Sequence, residues 1–96
     1  MFTHIVLFKL HDNEPHNLDT TRAILLSMKG QIPQLRDIEV GLDVLQTDRS
    51  FDLALITRFD SPRDYRAYRT HPYHVDPVLK HLHDVAATAV VVDYES

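Results

Sequence analysis

Apolar and polar residues follow two rhythms along this chain, one of period two and one of period three to four. Residues 3 to 10, THIVLFKL, are β-branched and aromatic in a short run, which predicts a first strand. After the polar connector HDNEPHN, Leu18, Thr21, Leu25 and Met28 recur at helical spacing and define one helix face. Gly30 suits the position just past a helix end, and Pro33 opposes continuation. In RDIEVGLDVLQ, Ile38, Val40, Leu42 and Val44 alternate with Asp37, Glu39 and Asp43, a second strand with one buried face. Gly41 in its middle marks a bulge or a close backbone approach. TDRS turns the chain, and FDLALITRF returns as a third strand in a hairpin with the second.

Two helix starts follow. Ser61 can cap, Pro62 fits the first helical position and Asp64 completes a capping box. This helix is expected to end near Thr70, because the residue before Pro72 is biased away from helical geometry. DPVLKHLHDV repeats the device: Asp76 caps, Pro77 opens, and Val78, Leu82 and Val85 form an apolar stripe. ATAVVVDYE is the last strand. The order β-α-β-β-α-α-β predicts an α+β ferredoxin-like sandwich, an antiparallel four-stranded sheet with helices on one face. A chain of 96 residues is expected to form one domain over residues 1–96.

The strands are apolar on both sides. His4, Val6 and Phe8 oppose Ile5 and Leu7; Phe51, Leu53, Leu55 and Phe59 oppose Ala54 and Ile56; Ala89 and Val91 oppose Val90, Val92 and Tyr94. Such patterning belongs to sheets covered on both faces. The helices suffice for one face, and an open apolar face of this size exceeds what monomers usually expose. Burying ~600 Å² of it at ~25 cal/mol/Å² would contribute on the order of 15 kcal/mol before association costs. A second copy is the simplest cover, which predicts a homodimer through the sheet face, a dimeric α/β barrel.

Composition narrows the function. Apolar residues make up 44%, charged residues 25%, and the net charge is −4, with no basic cluster, so nucleic acid is not an expected partner. The chain has no cysteine, which excludes disulfides and thiolate chemistry. Its first residues lack the basic lead and cleavage site of a signal peptide, and no apolar run is long enough to span a membrane. A cytoplasmic location with no membrane partner is the expectation. The two glycines form no phosphate loop, and no Gly-x-Ser-x-Gly elbow occurs. The seven histidines lack metal-ligand spacing: Pro72 interrupts the helix between His71 and His74, and His81 and His83 face different sides of a helix. No metal and no cofactor are expected.

The stretch YRTHPYHVDP, residues 68 to 77, places one phenol and two imidazoles beside helix-breaking prolines. Together with HIVLFKL at residues 4 to 10 and the closing VVVDYE, this block resembles the stress-responsive A/B barrel (Dabb) family over nearly the whole chain. The resemblance implies a ferredoxin-like protomer and a dimeric α/β barrel. Many members have no assigned reaction; some plant members cyclise polyketides with a tyrosine and a histidine in an apolar cavity. By motif these match Tyr68 and His74, His4 matches a histidine beside the cavity, and His71 takes a positional role. Val6, Leu25 and Leu55 complete the expected ligand-binding set with His4 and His71.

The resulting expectation is a small homodimer that binds a small apolar organic molecule between helices and sheet. A second reading is a cofactor-free lyase, cyclase or isomerase, with His74 as general base and Tyr68 as oxyanion donor. A third is a purely structural, stress-associated dimer with a filled core. In the bland reading of the residues, Tyr68 is a packing tyrosine like Tyr65, His71 caps a helix end, and His4 is a hydrogen-bonded core histidine.

Overall fold

In the computed structural model, which describes Met1 to Ser96, the strands are β1 (Phe2–Leu10), β2 (Asp37–Leu42), β3 (Leu53–Phe59) and β4 (Ala86–Glu95). They form one antiparallel sheet in the order β2-β3-β1-β4. Helix α1 (Pro15–Leu26) links β1 to β2. Between β3 and β4 come α2 (Pro62–Thr70), a kinked segment over His74–Leu79, and α3 (Lys80–Val85). This is the ferredoxin-like α+β fold, with the helices packed on one face of the sheet.

The period-two pattern decides what faces the helices. Val6 lies between Leu55 and Val91, and His4 between Thr57 and Asp93, so these residues share the helix side. Ile5 lies between Ile56 and Val92, and Leu7 between Ala54 and Val90, on the opposite side. On the face predicted for α1, Thr21 and Leu25 are completely buried and Leu18 is half-buried; Met28 is completely buried too, but in the turns after the helix ends at Leu26. They join Phe59, Tyr68, Ile32 and Val78 in the core. Burial of side chains this large is worth roughly 1.5–3 kcal/mol each, which is what holds the helices to the sheet.

Several local expectations differ from the structure. Helix α1 begins earlier, at Pro15, where a proline at the first position lacks only an N–H that would have no helical partner. The helix ends at Leu26, so Gly30 is not just past its end; with φ +82, a conformation that costs glycine little, it lies within the turns that follow. Gly41 marks neither a bulge nor a close approach: it pairs in register with Ala54, and a Cβ there would meet nothing within 4 Å. The irregularity lies instead between Lys9 and Leu10, on the β4 side. Strand β2 stops at Leu42, so Val44 is not on a buried face; it is 86% exposed in the turn. Ser61 does cap α2, its Oγ accepting from the Asp64 N–H at 3.2 Å, while no reciprocal bond from the Asp64 carboxylate forms.

Helix α2 ends at Thr70 as the proline predicts. Asp76 adopts extended angles (φ −145, ψ 115) before Pro77, so the two helical pieces meet at a kink. Strand β4 lies at the sheet edge, and the helices leave most of it uncovered on both sides.

Candidate functional site

The His71–Pro72 junction explains how His74 comes to lie against Tyr68. At His71 the chain leaves α2 with φ −62, ψ 136. The His71 Nδ1 accepts the Tyr73 N–H at 3.1 Å, and the Val75 N–H donates to the His71 carbonyl at 3.0 Å. The Tyr73 hydroxyl donates to Ser27 Oγ at 2.8 Å, tying the turn to the end of α1. These bonds fold the chain back so that the His74 ring lies 4.4 Å, centroid to centroid, from the Tyr68 ring.

A cavity of about 250 Å³ opens there, between β1 and β3 on one side and α2, the kinked segment and α3 on the other. One end is polar, with His4, Tyr65, Tyr68, Arg69 and His74. The other is apolar, with Val6, Phe8, Leu55, Val78, Leu79 and Leu82. An apolar chamber with a few converging polar groups is the usual form of a small-molecule site. A larger depression of about 590 Å³ lies among the loops, between Asn13 and Glu14 and the turn from Asp43 to Asp52. It is nearly all polar and holds no imidazole or phenol, so the chemistry points to the smaller chamber.

Within the chamber each polar group is held in a defined state. A carbonyl oxygen can only accept, so the 2.9 Å contact of His74 Nδ1 with the Arg69 carbonyl puts a proton on Nδ1. In neutral His74 the other nitrogen, Nε2, is then left with its lone pair free. Burial lowers the His74 pKa from the ordinary imidazole value, opposed by the bond to the Arg69 carbonyl. Tyr68 is almost fully buried, and its hydroxyl has no hydrogen-bond partner in the protein and borders the cavity. Burial, then the neighbouring Tyr65, raises its pKa, so at neutral pH it is a donor and not a phenolate. Tyr65 stacks on Tyr68 with centroids 6.1 Å apart and meets His4 at a tilt, 4.7 Å away. Its pKa is raised by burial and by Asp93, with Arg69 acting against them. His4 sits directly across from Asp93 on β4, and its Nδ1 contacts Asp93 Oδ1.

The expected residues thus divide. His4, Val6, Leu55, Tyr68 and His74 meet at one cavity. Leu25 does not line it: α1 seals Leu25 completely in the core. His71 also lies outside the lining, and its ring shapes the turn through Tyr73. Tyr65, Arg69 and Asp93 belong at or beside the site; the sequence marks Tyr65 only as a packing residue and gives no signal for the other two. Tyr65 and Arg69 lie three residues before and one after Tyr68; the i, i+3 spacing alone put Tyr65 on the Tyr68 face. No three acidic or histidine side chains converge as metal ligands would. His81 donates or accepts at Thr21 Oγ1, 2.8 Å away, and so joins α3 to α1.

Comparison with known proteins decides the family. The description of the stress-responsive A/B barrel domain, Dabb, matches residues 2–96. The chain belongs to the Dabb family. An uncharacterized protein of Streptomyces coelicolor is 33% identical over 99 residues, covering 99% of both chains. A dimeric protein of unknown function and ferredoxin-like fold from Bacteroides fragilis is 33% identical with a TM-score of 0.85, over 99% of this chain and 95% of its own. The hydroxynitrile lyase of Passiflora edulis is 20% identical with a TM-score of 0.83, over 97% and 90%, and shares the fold. The Bacteroides fragilis protein, at this similarity, is a dimer, and no helix of the present chain is long and apolar enough to cross a membrane.

The depressed His74 pKa has a checkable consequence. Above the ordinary imidazole value of about 6.5, His74 is neutral folded or unfolded and contributes no pH dependence. As pH falls below that value the unfolded chain takes up the proton first, so stability is lost until the folded pKa is passed. Urea denaturation should show His74→Gln losing less stability than the wild type between pH 7.5 and pH 5.5. Equal losses would place the His74 ring in water.

Proposed function

We propose that this Dabb protein is a homodimer, packed through the outer sheet face, whose protomers each bind a small, mostly apolar organic molecule in the chamber beside His74. The observation that carries this reading is the unfilled 250 Å³ space lined by apolar side chains in an otherwise tightly buried interior. At ~30 Å³ per water-sized group, it has room for about eight non-hydrogen atoms, with a head group left at its open side. The dimeric Bacteroides fragilis relative supports the assembly, as does the apolar outer face formed by Ile5, Leu7, Ile56, Val90 and Val92.

Octanamide, a neutral probe of that size, is expected to bind by calorimetry with one site per protomer. Leu79→Trp, which adds bulk at a half-buried wall position, should abolish that binding while the far-ultraviolet circular dichroism stays unchanged. Undiminished binding to a folded Leu79→Trp protein would move the ligand elsewhere.

A second reading is favoured by the tautomer of His74. With Nδ1 protonated against the Arg69 carbonyl, Nε2 is the base-competent nitrogen, and the unpartnered Tyr68 hydroxyl can donate to an oxyanion. For a bound ketone, Nε2 would take the proton from the carbon next to the carbonyl, and Tyr68 would hold the enolate oxygen. The Passiflora edulis enzyme of the same fold is a lyase, which lends this reading support at the level of fold.

A further inference from the structure

Arg69 is the one cationic side chain lining the cavity, apart from what histidine can contribute. It forms no ion pair: the close ion pairs of the molecule are His4–Asp93, Arg36–Asp60 and Arg58–Asp37. Its guanidinium also donates no hydrogen bond, although its backbone carbonyl anchors His74. Arg69 is shared with an adjoining surface depression formed with Arg66 and Thr70, and Arg66 is likewise unpaired. The charge reaches into the chamber. After burial, it is among the influences that act on both Tyr65 and His74. No carboxylate lines the cavity, and the Asp93 carboxylate beside it is occupied by His4.

A basic residue in the last turn of a helix complements the helix dipole, and that alone would suit Arg69 to its position in α2. Arg69 is exposed, so its unpaired guanidinium is solvated and available where it borders the chamber, in a protein of net charge −4. Guanidinium pairs with carboxylates through its planar fork of N–H donors. The amphipathic division of the cavity supplies the rest: an apolar body would lie against Phe8, Leu55 and Leu82, with its head turned to α2.

We propose that the site selects an organic anion, an aliphatic or aromatic carboxylate whose head is held at the mouth by Arg69. This rests on the reading of the chamber as a ligand site. Octanoate and octanamide have the same number of non-hydrogen atoms and differ in charge, so their ratio of affinities isolates the head group. At neutral pH the full chain should bind octanoate about five- to tenfold tighter than octanamide, as a charged pair at a partly open mouth allows. In Arg69→Gln the ratio should fall to about one, and in the wild type it should shrink as salt is raised. Equal affinity for both probes in the wild type, or a preference that survives Arg69→Gln, overturns the role of Arg69 and leaves the chamber a ligand site. Failure of both probes to bind overturns the ligand site itself, and this proposal with it.

Discussion

Replacing Val90 and Val92 together by aspartate is expected to halve the mass of the particle in solution, from about twice the 11.1 kDa chain to a single chain. Both residues point away from the helices, because Val92 pairs with Ile5 and Val90 with Leu7 on the outer face. Alone in a protomer they are 53% and 45% exposed, so aspartate there is compatible with the folded protomer. In a two-fold interface each substitution counts twice, and four carboxylates would lose their water. An unpaired buried charge costs several kcal/mol after relaxation, more than the interface can supply. Sedimentation velocity reads the mass directly. An unchanged mass for the double variant, with the fold intact, would remove the outer face from the interface.

The second large effect concerns His74. In heavy water, 2-octanone bound in the chamber should exchange the protons next to its carbonyl faster than free ketone does. His74→Ala should lower that protein-dependent rate on the order of 100-fold, the usual contribution of a positioned general base. Tyr68→Phe should lower it by a comparable factor, because the enolate oxygen would lose its donor in a water-poor site. Truncation of His74 removes one hydrogen bond to the Arg69 carbonyl at the edge of the turn, so the fold should persist. Exchange that is as fast with His74→Ala as with the wild type would reject the acid–base reading. The same result would leave binding untouched, since the apolar wall does not depend on His74.

How far the sequence foretold the site follows from the range of each interaction. The buried face of α1 and both sides of β1 and β3 were legible because they depend on periodicity within one element. The stop at Thr70 was legible because Pro72 acts on its immediate neighbour. Strand β2 was overextended for the same reason: alternation continues to Val44, but its pairing with β3 ends at Leu42. Long-range placement was not legible. Asp93 meets His4 only through the register of β4 on β1, and nothing near either residue announces it. Leu25 and Leu55 are both inward and apolar, yet α1 seals one in the core while the gap beneath α2 and α3 leaves the other at the cavity wall. His71 and His74 are equally prominent in the motif; the fold uses the first to shape the turn and the second to face Tyr68.

The most direct measurement is a titration of methyl-labelled protein with octanamide, followed by nuclear magnetic resonance. The methyl groups of Val6, Leu55, Val78, Leu79 and Leu82 should shift together along one saturable curve, while those of the sealed Leu25 stay in place. If the largest shifts fall instead on Val90 and Val92, or if no methyl responds saturably, the space beside His74 is not where this protein meets a ligand.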